Sequence, residues 1–242
     1  MPDDRIVFDS VSSGKFSGWV IKSSGGNPQQ LLKDDFPEVI SPDGRYLLIS
    51  KNEMKMTGLW RMNLEDGSEQ QLTNQVDVWV NFSPDGKWVV FLRYADKIGL
   101  WKIPIEGGDP TLIFQGRAIS PAVSPDGKKI AFIFTNSKIS LISFDGGEIT
   151  ETFDAMPQTK TSIDVSKRNL QWTPDGKAIN YVASNNGVSN IWRQPIDGSP
   201  PVQVTKFDSG RIFNFAYSSD GKKLALSRGS SNSDVVLIKN SE

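Results

Sequence analysis

One four-residue pattern returns along the chain: Ser41-Pro42-Asp43-Gly44, Ser83-Pro84-Asp85-Gly86, Ser124-Pro125-Asp126-Gly127, Thr173-Pro174-Asp175-Gly176 and Ser218-Ser219-Asp220-Gly221. Successive copies start 42, 41, 49 and 45 residues apart, and a degraded copy, Pro2-Asp3-Asp4, precedes the apolar stretch Ile6-Val7-Phe8. Proline presets φ for the first central position of a tight turn, aspartate bonds back to nearby backbone, and glycine accepts positive φ. Each copy therefore reads as the tip of a β-hairpin. Asp43, Asp85, Asp126, Asp175 and Asp220 are assigned to the turns themselves. A calcium role is the alternative for such hard oxygen ligands, but aspartates on separate repeats stand too far apart to share one ion.

A second element recurs in phase: Gly58-Leu59-Trp60-Arg61, Gly99-Leu100-Trp101-Lys102 and Asn190-Ile191-Trp192-Arg193, with looser copies at Trp19 and at Ile139 to Phe144. A short strand-like run follows each, at Gln29 to Leu32, Gln70 to Thr73, Thr111 to Phe114, Ile149 to Phe153 and Val202 to Thr205. Each repeat thus carries four strands: one before the turn, one after it, the tryptophan strand and a short outer one. A sheet of that size cannot bury both faces alone, so neighbouring units must stack. The expected fold is all-β, a β-propeller of about six four-stranded blades running through the whole chain without a linker. Trp60, Trp101 and Trp192, at one position of one strand, read as packing between blades in preference to a sugar-stacking platform.

Strand counting leaves the first unit without the strand before its turn and the last without its final strand after Val235 to Lys239. The expectation is that these residues are the C-terminal part of a longer chain. The polar stretch Asp154 to Ser166 reads as a protruding loop.

Composition narrows function. The 242 residues carry a net charge of −1, with neither histidine nor cysteine. A nucleic-acid binder normally shows a basic stripe, so that class is set aside. Without imidazole or thiolate the chain lacks the usual general base, the common nucleophile and the soft metal ligands, and neither a catalytic site, a cofactor nor a metal is expected. No apolar run reaches the ~20 residues of a membrane-spanning helix.

The candidate site comes from reading six or seven residues upstream of each turn, where the innermost strand enters the channel. Asp35, Asp77, Arg117, Lys167 and Arg211 stand there, with Arg168 adjacent and Trp79 and Phe213 at the same end. Acids on one side and bases on the other would polarise the channel mouth, suiting a charged peptide or small anion. The bland alternative is a wet rim of weak exposed ion pairs.

The Ser-Pro-Asp-Gly turns and Trp-Arg or Trp-Lys strands resemble the bacterial TolB-type propeller repeats, also called PD40 or WD40-like repeats, over essentially the whole chain. Trp172-Thr173-Pro174-Asp175-Gly176, Gly187 to Trp192 and Ser233 to Ile238 are similar to the C-terminal propellers of bacterial signalling proteins. There, a propeller follows a kinase or winged-helix domain; no glycine-rich phosphate loop or His-Arg-Asp motif occurs in this chain. The resemblance implies a non-catalytic module that recognises a protein or peptide, in a periplasmic or other extracytoplasmic setting, although the sequence leaves a cytoplasmic one open. Two other readings are an accessory propeller of an oligopeptidase-type serine peptidase, whose Gly-x-Ser-x-Gly elbow is absent, and a carbohydrate-active propeller enzyme.

Overall fold

The computed structural model describes residues 5–12, 15–51, 58–95, 97–134, 138–155, 161–163, 170–218 and 221–230. Every regular element among them is a strand, arranged in six antiparallel sheets. The first sheet holds β1 (Arg5–Ser12), β2 (Lys15–Lys22) and β3 (Gln29–Lys33); the second, β4 (Phe36–Ile40), β5 (Tyr46–Ser50), β6 (Leu59–Asn63) and β7 (Glu69–Gln71). The third is β8 (Asp77–Phe82), β9 (Trp88–Arg93), β10 (Gly99–Pro104) and β11 (Thr111–Gln115); the fourth, β12 (Ile119–Val123), β13 (Lys129–Ile133), β14 (Ile139–Ser143) and β15 (Ile149–Phe153). The fifth combines β16 (Thr161–Ile163), β17 (Leu170–Trp172), β18 (Ala178–Asn185), β19 (Val188–Pro195) and β20 (Val202–Gln203); the sixth pairs β21 (Arg211–Tyr217) with β22 (Leu224–Gly229). This is the blade arrangement of a β-propeller. The degraded turn at Pro2-Asp3-Asp4, the turn residue Asp220 and the stretch Val235 to Lys239 lie outside the described residues.

Position within a blade follows from composition. The second strands of the second, third and fourth blades carry apolar runs, as in Val89-Val90-Phe91-Leu92 and Ile130-Ala131-Phe132-Ile133, that are buried on both faces. Such runs suit strands covered above and below. Outer strands such as β7, Glu69-Gln70-Gln71, are exposed along their length; polar side chains on an edge discourage pairing with a second sheet. The first strands of four consecutive blades, β4, β8, β12 and β17, touch one another in that order and so line the axis.

The four turns described in full are closed by the same bonds. In the third blade the Gly86 N–H donates to the Ser83 carbonyl at 2.9 Å, and the Ser83 hydroxyl donates to Asp85 Oδ1 at 2.5 Å. Asp85 Oδ1 also accepts the Lys87 N–H at 3.1 Å, while Ser83 Oγ accepts the Trp88 N–H at 3.0 Å. The second, fourth and fifth blades repeat the set through Ser41 and Asp43, Ser124 and Asp126, and Thr173 and Asp175.

Those bonds have a consequence in acid. Donation from the Ser124 hydroxyl, then from the Lys128 N–H, holds Asp126 below the ordinary aspartate value of 3.8. Thr173 and the Lys177 N–H do the same for Asp175, and Ser83 for Asp85. A carboxylate depressed in the folded state stabilises fully above its unfolded value and loses that contribution as pH falls through the folded one. Melting temperature should therefore drop below about pH 4. A Ser83→Ala/Ser124→Ala variant should show a shallower drop there; an equal acid slope would contradict the turn assignment.

The Trp-Arg and Trp-Lys pairs join three blades at once, because consecutive residues of a strand face opposite sides. Trp101 packs on the core between the second and third blades, with Leu48, Leu59, Phe82 and Phe91. Lys102 points the other way: its Nζ donates to the Phe144 carbonyl at 3.0 Å and pairs with Asp145 at 3.2 Å on the fourth blade. In the second blade Trp60 packs towards Leu32 of the first, while Arg61 bonds the Ile105 carbonyl at 2.9 Å and pairs with Glu106 at 2.6 Å on the third. Trp192 meets the core between the fourth and fifth blades, and Arg193 bonds Asn180, whose amide reaches the Tyr217 hydroxyl of the sixth.

The stretch read as a loop from Asp154 to Ser166 requires correction: Thr161–Ile163 forms a strand against Ala183–Asn185. The reason lies in β18, whose eight residues outrun the three residues of β17 that pair with it. Its far end carries backbone groups that need partners, and β16 supplies them.

Candidate binding site

Three of the axis-lining strands, β4, β8 and β12, carry a β-bulge at the same place, and β8 and β12 share a further feature. In β8 the register moves from Val78↔Leu92 to Asn81↔Val90, so Trp79 and Val80 oppose Phe91 alone. In β12 it moves from Ile119↔Ile133 to Ala122↔Ala131, so Ser120 and Pro121 oppose Phe132 alone. The first bulged residue has positive φ in both, 51° at Trp79 and 53° at Ser120. Holding a non-glycine residue there costs about 1–2 kcal/mol, and such strain gathers at sites where a side chain must be aimed.

Trp79 is aimed across the blade boundary. Its half-buried ring packs on the core of the fourth and fifth blades and lies 6.2 Å from the Tyr94 ring at 52°. Tyr94 follows β9 and is anchored by its N–H to the Val76 carbonyl at 2.9 Å. Its hydroxyl accepts Arg117 Nε at 3.0 Å, and the guanidinium stands 5.9 Å from its ring centre. Among the described residues no carboxylate lies within ion-pair distance of Arg117, which is exposed. A tryptophan, a tyrosine and an exposed guanidinium thus converge where blades three and four meet, and among the described residues Arg117 is hydrogen-bonded through Nε alone.

Asp77 plays a different part from a rim acid. Its side chain is 0% exposed, and its oxygens accept Arg93 Nε at 2.7 Å and Nη2 at 2.8 Å. That guanidinium stands 5.2 Å from the Phe91 ring centre and 5.1 Å from that of Trp101. The pair is a fixture beside the cluster, and it subtracts one negative charge from the mouth. The other rim candidates belong to other blades: Asp35 is half-buried before β4, Arg211 is exposed at the start of β21, and Phe213 lies in the β21 bulge, 3.4 Å from a Cβ built on Gly229. Lys167 and Arg168 lie outside the described residues.

Tyr94 and Arg93 escaped the sequence reading. Counting outward from the turn at Ser83 in both directions would have found Arg93 opposite Asp77, but the bulge displaces that count by one. Tyr94 had no such signal, since its bond to Arg117 crosses between blades.

The chain superposes on TolB from Acinetobacter baumannii with a TM-score of 0.68 and 16% identity, covering 93% of this chain and 64% of that one. It superposes on a TolB-like protein from Agrobacterium tumefaciens with a TM-score of 0.66 and 24% identity, covering 84% and 74%. The fold is that of the TolB-type β-propellers. No family model matches the sequence. An uncharacterised Agrobacterium fabrum protein is 27% identical over 96 residues, which are 37% of this chain and 33% of that protein. Both that protein and TolB are therefore substantially longer than the part this chain aligns with. Among the described residues no group of histidine, cysteine, aspartate or glutamate side chains is placed to hold a metal ion, and no helix is long and apolar enough to cross a membrane.

Proposed function

We propose that this TolB-type propeller is a non-catalytic binding module that recognises a protein or peptide at the channel mouth, with Trp79, Tyr94 and Arg117 as its central contacts. The observation that carries the reading is the Trp79 bulge, which accepts backbone strain to set an aromatic ring against Tyr94, whose hydroxyl in turn holds the exposed Arg117 guanidinium. Tryptophan, tyrosine and arginine dominate binding energy where they cluster, and a cation without a carboxylate partner favours an acidic segment. Arg211, Lys167 and Arg168 belong to the same proposal as outlying bases, and Asp35 and Phe213 as further rim contacts. Its setting as the C-terminal part of a larger bacterial signalling protein rests on the resemblance of the repeats in the second half of the chain.

Peptides selected from a random library on the immobilised protein supply the test. Arg117→Ala and Trp79→Ala should each weaken the tightest peptide about tenfold or more, the effect of losing a contact worth ~1.4 kcal/mol. Unchanged affinity in both variants, with melting curves showing them folded, would remove the site.

A further inference from the structure

On the turn end of the propeller, away from the mouth, successive turns pack proline on glycine. A Cβ built on Gly86 would lie 3.6 Å from Pro42, one on Gly176 3.8 Å from Pro125, and one on Gly221 2.5 Å from Pro174. The series breaks once: nothing lies within 4 Å of a Cβ built on Gly127, so Pro84 does not reach it. In its place runs a groove of about 510 Å³, lined by Pro84, Asp85, Trp88, Pro125, Asp126 and Phe144 among others. Trp88 and Phe144 meet edge to face, ring centres 6.3 Å apart at 75°.

We propose that this groove docks a proline-rich, basic peptide segment of a partner protein, seating a proline ring over Gly127 against the outer surface of the Trp88–Phe144 pair. The inference is independent of the channel-mouth reading. Its occupant is defined by the molecule's own repeats, because the surface left uncovered is the one a proline covers at three sister junctions. Aromatic side chains and flanking prolines are also the surfaces on which a preformed polyproline II segment packs at low entropic cost. Charge supplies the basic residue. Asp85 and Asp126 each spend Oδ1 on their own turn, and among the described residues neither Oδ2 has a partner. Lys102, which stands over both rings, is already engaged by the Phe144 carbonyl and Asp145. Lys87 and Lys128 donate their backbone N–H to the turn carboxylates, and their ammonium charges also act on them. Among the described residues neither side chain bonds the outer oxygens, which a guanidinium can reach.

The probe is a fluorescein-labelled peptide alternating proline and leucine and ending in arginine, with a matched peptide in which every proline is alanine. Wild-type protein should bind the proline peptide saturably, at least about tenfold tighter than its alanine match. Trp88→Ala should lose that binding. Asp85→Asn/Asp126→Asn keeps both turn acceptors and should weaken it about fivefold, with a flatter salt dependence. The double variant keeps the test open if Trp88→Ala fails to fold. Equal binding of the two peptides, no saturation by wild-type protein, or full affinity in the double variant would overturn the proposal.

Discussion

Gly58→Ala should cost more than about 4 kcal/mol, in the range where a point change prevents folding. Gly58 has a φ of 79°, and a Cβ built on it would stand 1.8 Å from the Thr73 carbonyl oxygen. That oxygen is backbone, so no side-chain rotation relieves the clash. Separating the strands would break the Leu59 N–H bond to Thr73 Oγ1 at 2.9 Å and the bond from the Leu72 N–H to the Leu59 carbonyl at 2.8 Å. Gly67 is the control: its φ is 73°, but nothing lies within 4 Å of its Cβ position. Gly67→Ala should lose only the backbone term, about 1–2 kcal/mol. Urea unfolding of the two variants separates close approach from φ; equal losses would contradict the packing described for the second blade.

Asp77→Ala is the second large effect, expected at about 3–5 kcal/mol because it leaves a desolvated guanidinium without its counter-charge. For a chain of this length that corresponds to a fall in melting temperature of roughly 10 °C. Replacing both partners, Asp77→Leu/Arg93→Met, should recover most of the loss, since an apolar pair of similar volume needs no compensation. A double variant no more stable than Asp77→Ala would mean that the carboxylate acts on something other than Arg93.

The hairpin tips, the strand order within each blade and the in-phase tryptophans were legible in the sequence because they depend on a few consecutive residues whose φ preferences and burial are local. The position of Gly58 before Leu59-Trp60 was visible too, though its cause was not: it lies in the backbone at Thr73, just past the outer strand. What escaped depends on register. One bulged residue in β8 decides that Asp77 faces Arg93 and that Trp79 turns towards the next blade. Tyr94 lies 23 residues from Arg117, with no periodicity linking them. The strand at Thr161–Ile163 was missed because its polar residues resemble a loop, and only the length of β18 gives them a partner.

Chemical-shift mapping of the isotope-labelled protein during titration with the tightest library-selected peptide tests binding at the channel mouth most directly. The largest changes are expected at the Trp79 indole, the Tyr94 amide and the Arg117 Nε–H, where the third and fourth blades meet. Changes confined to the outer strands, with those three signals unmoved at saturation, would contradict it.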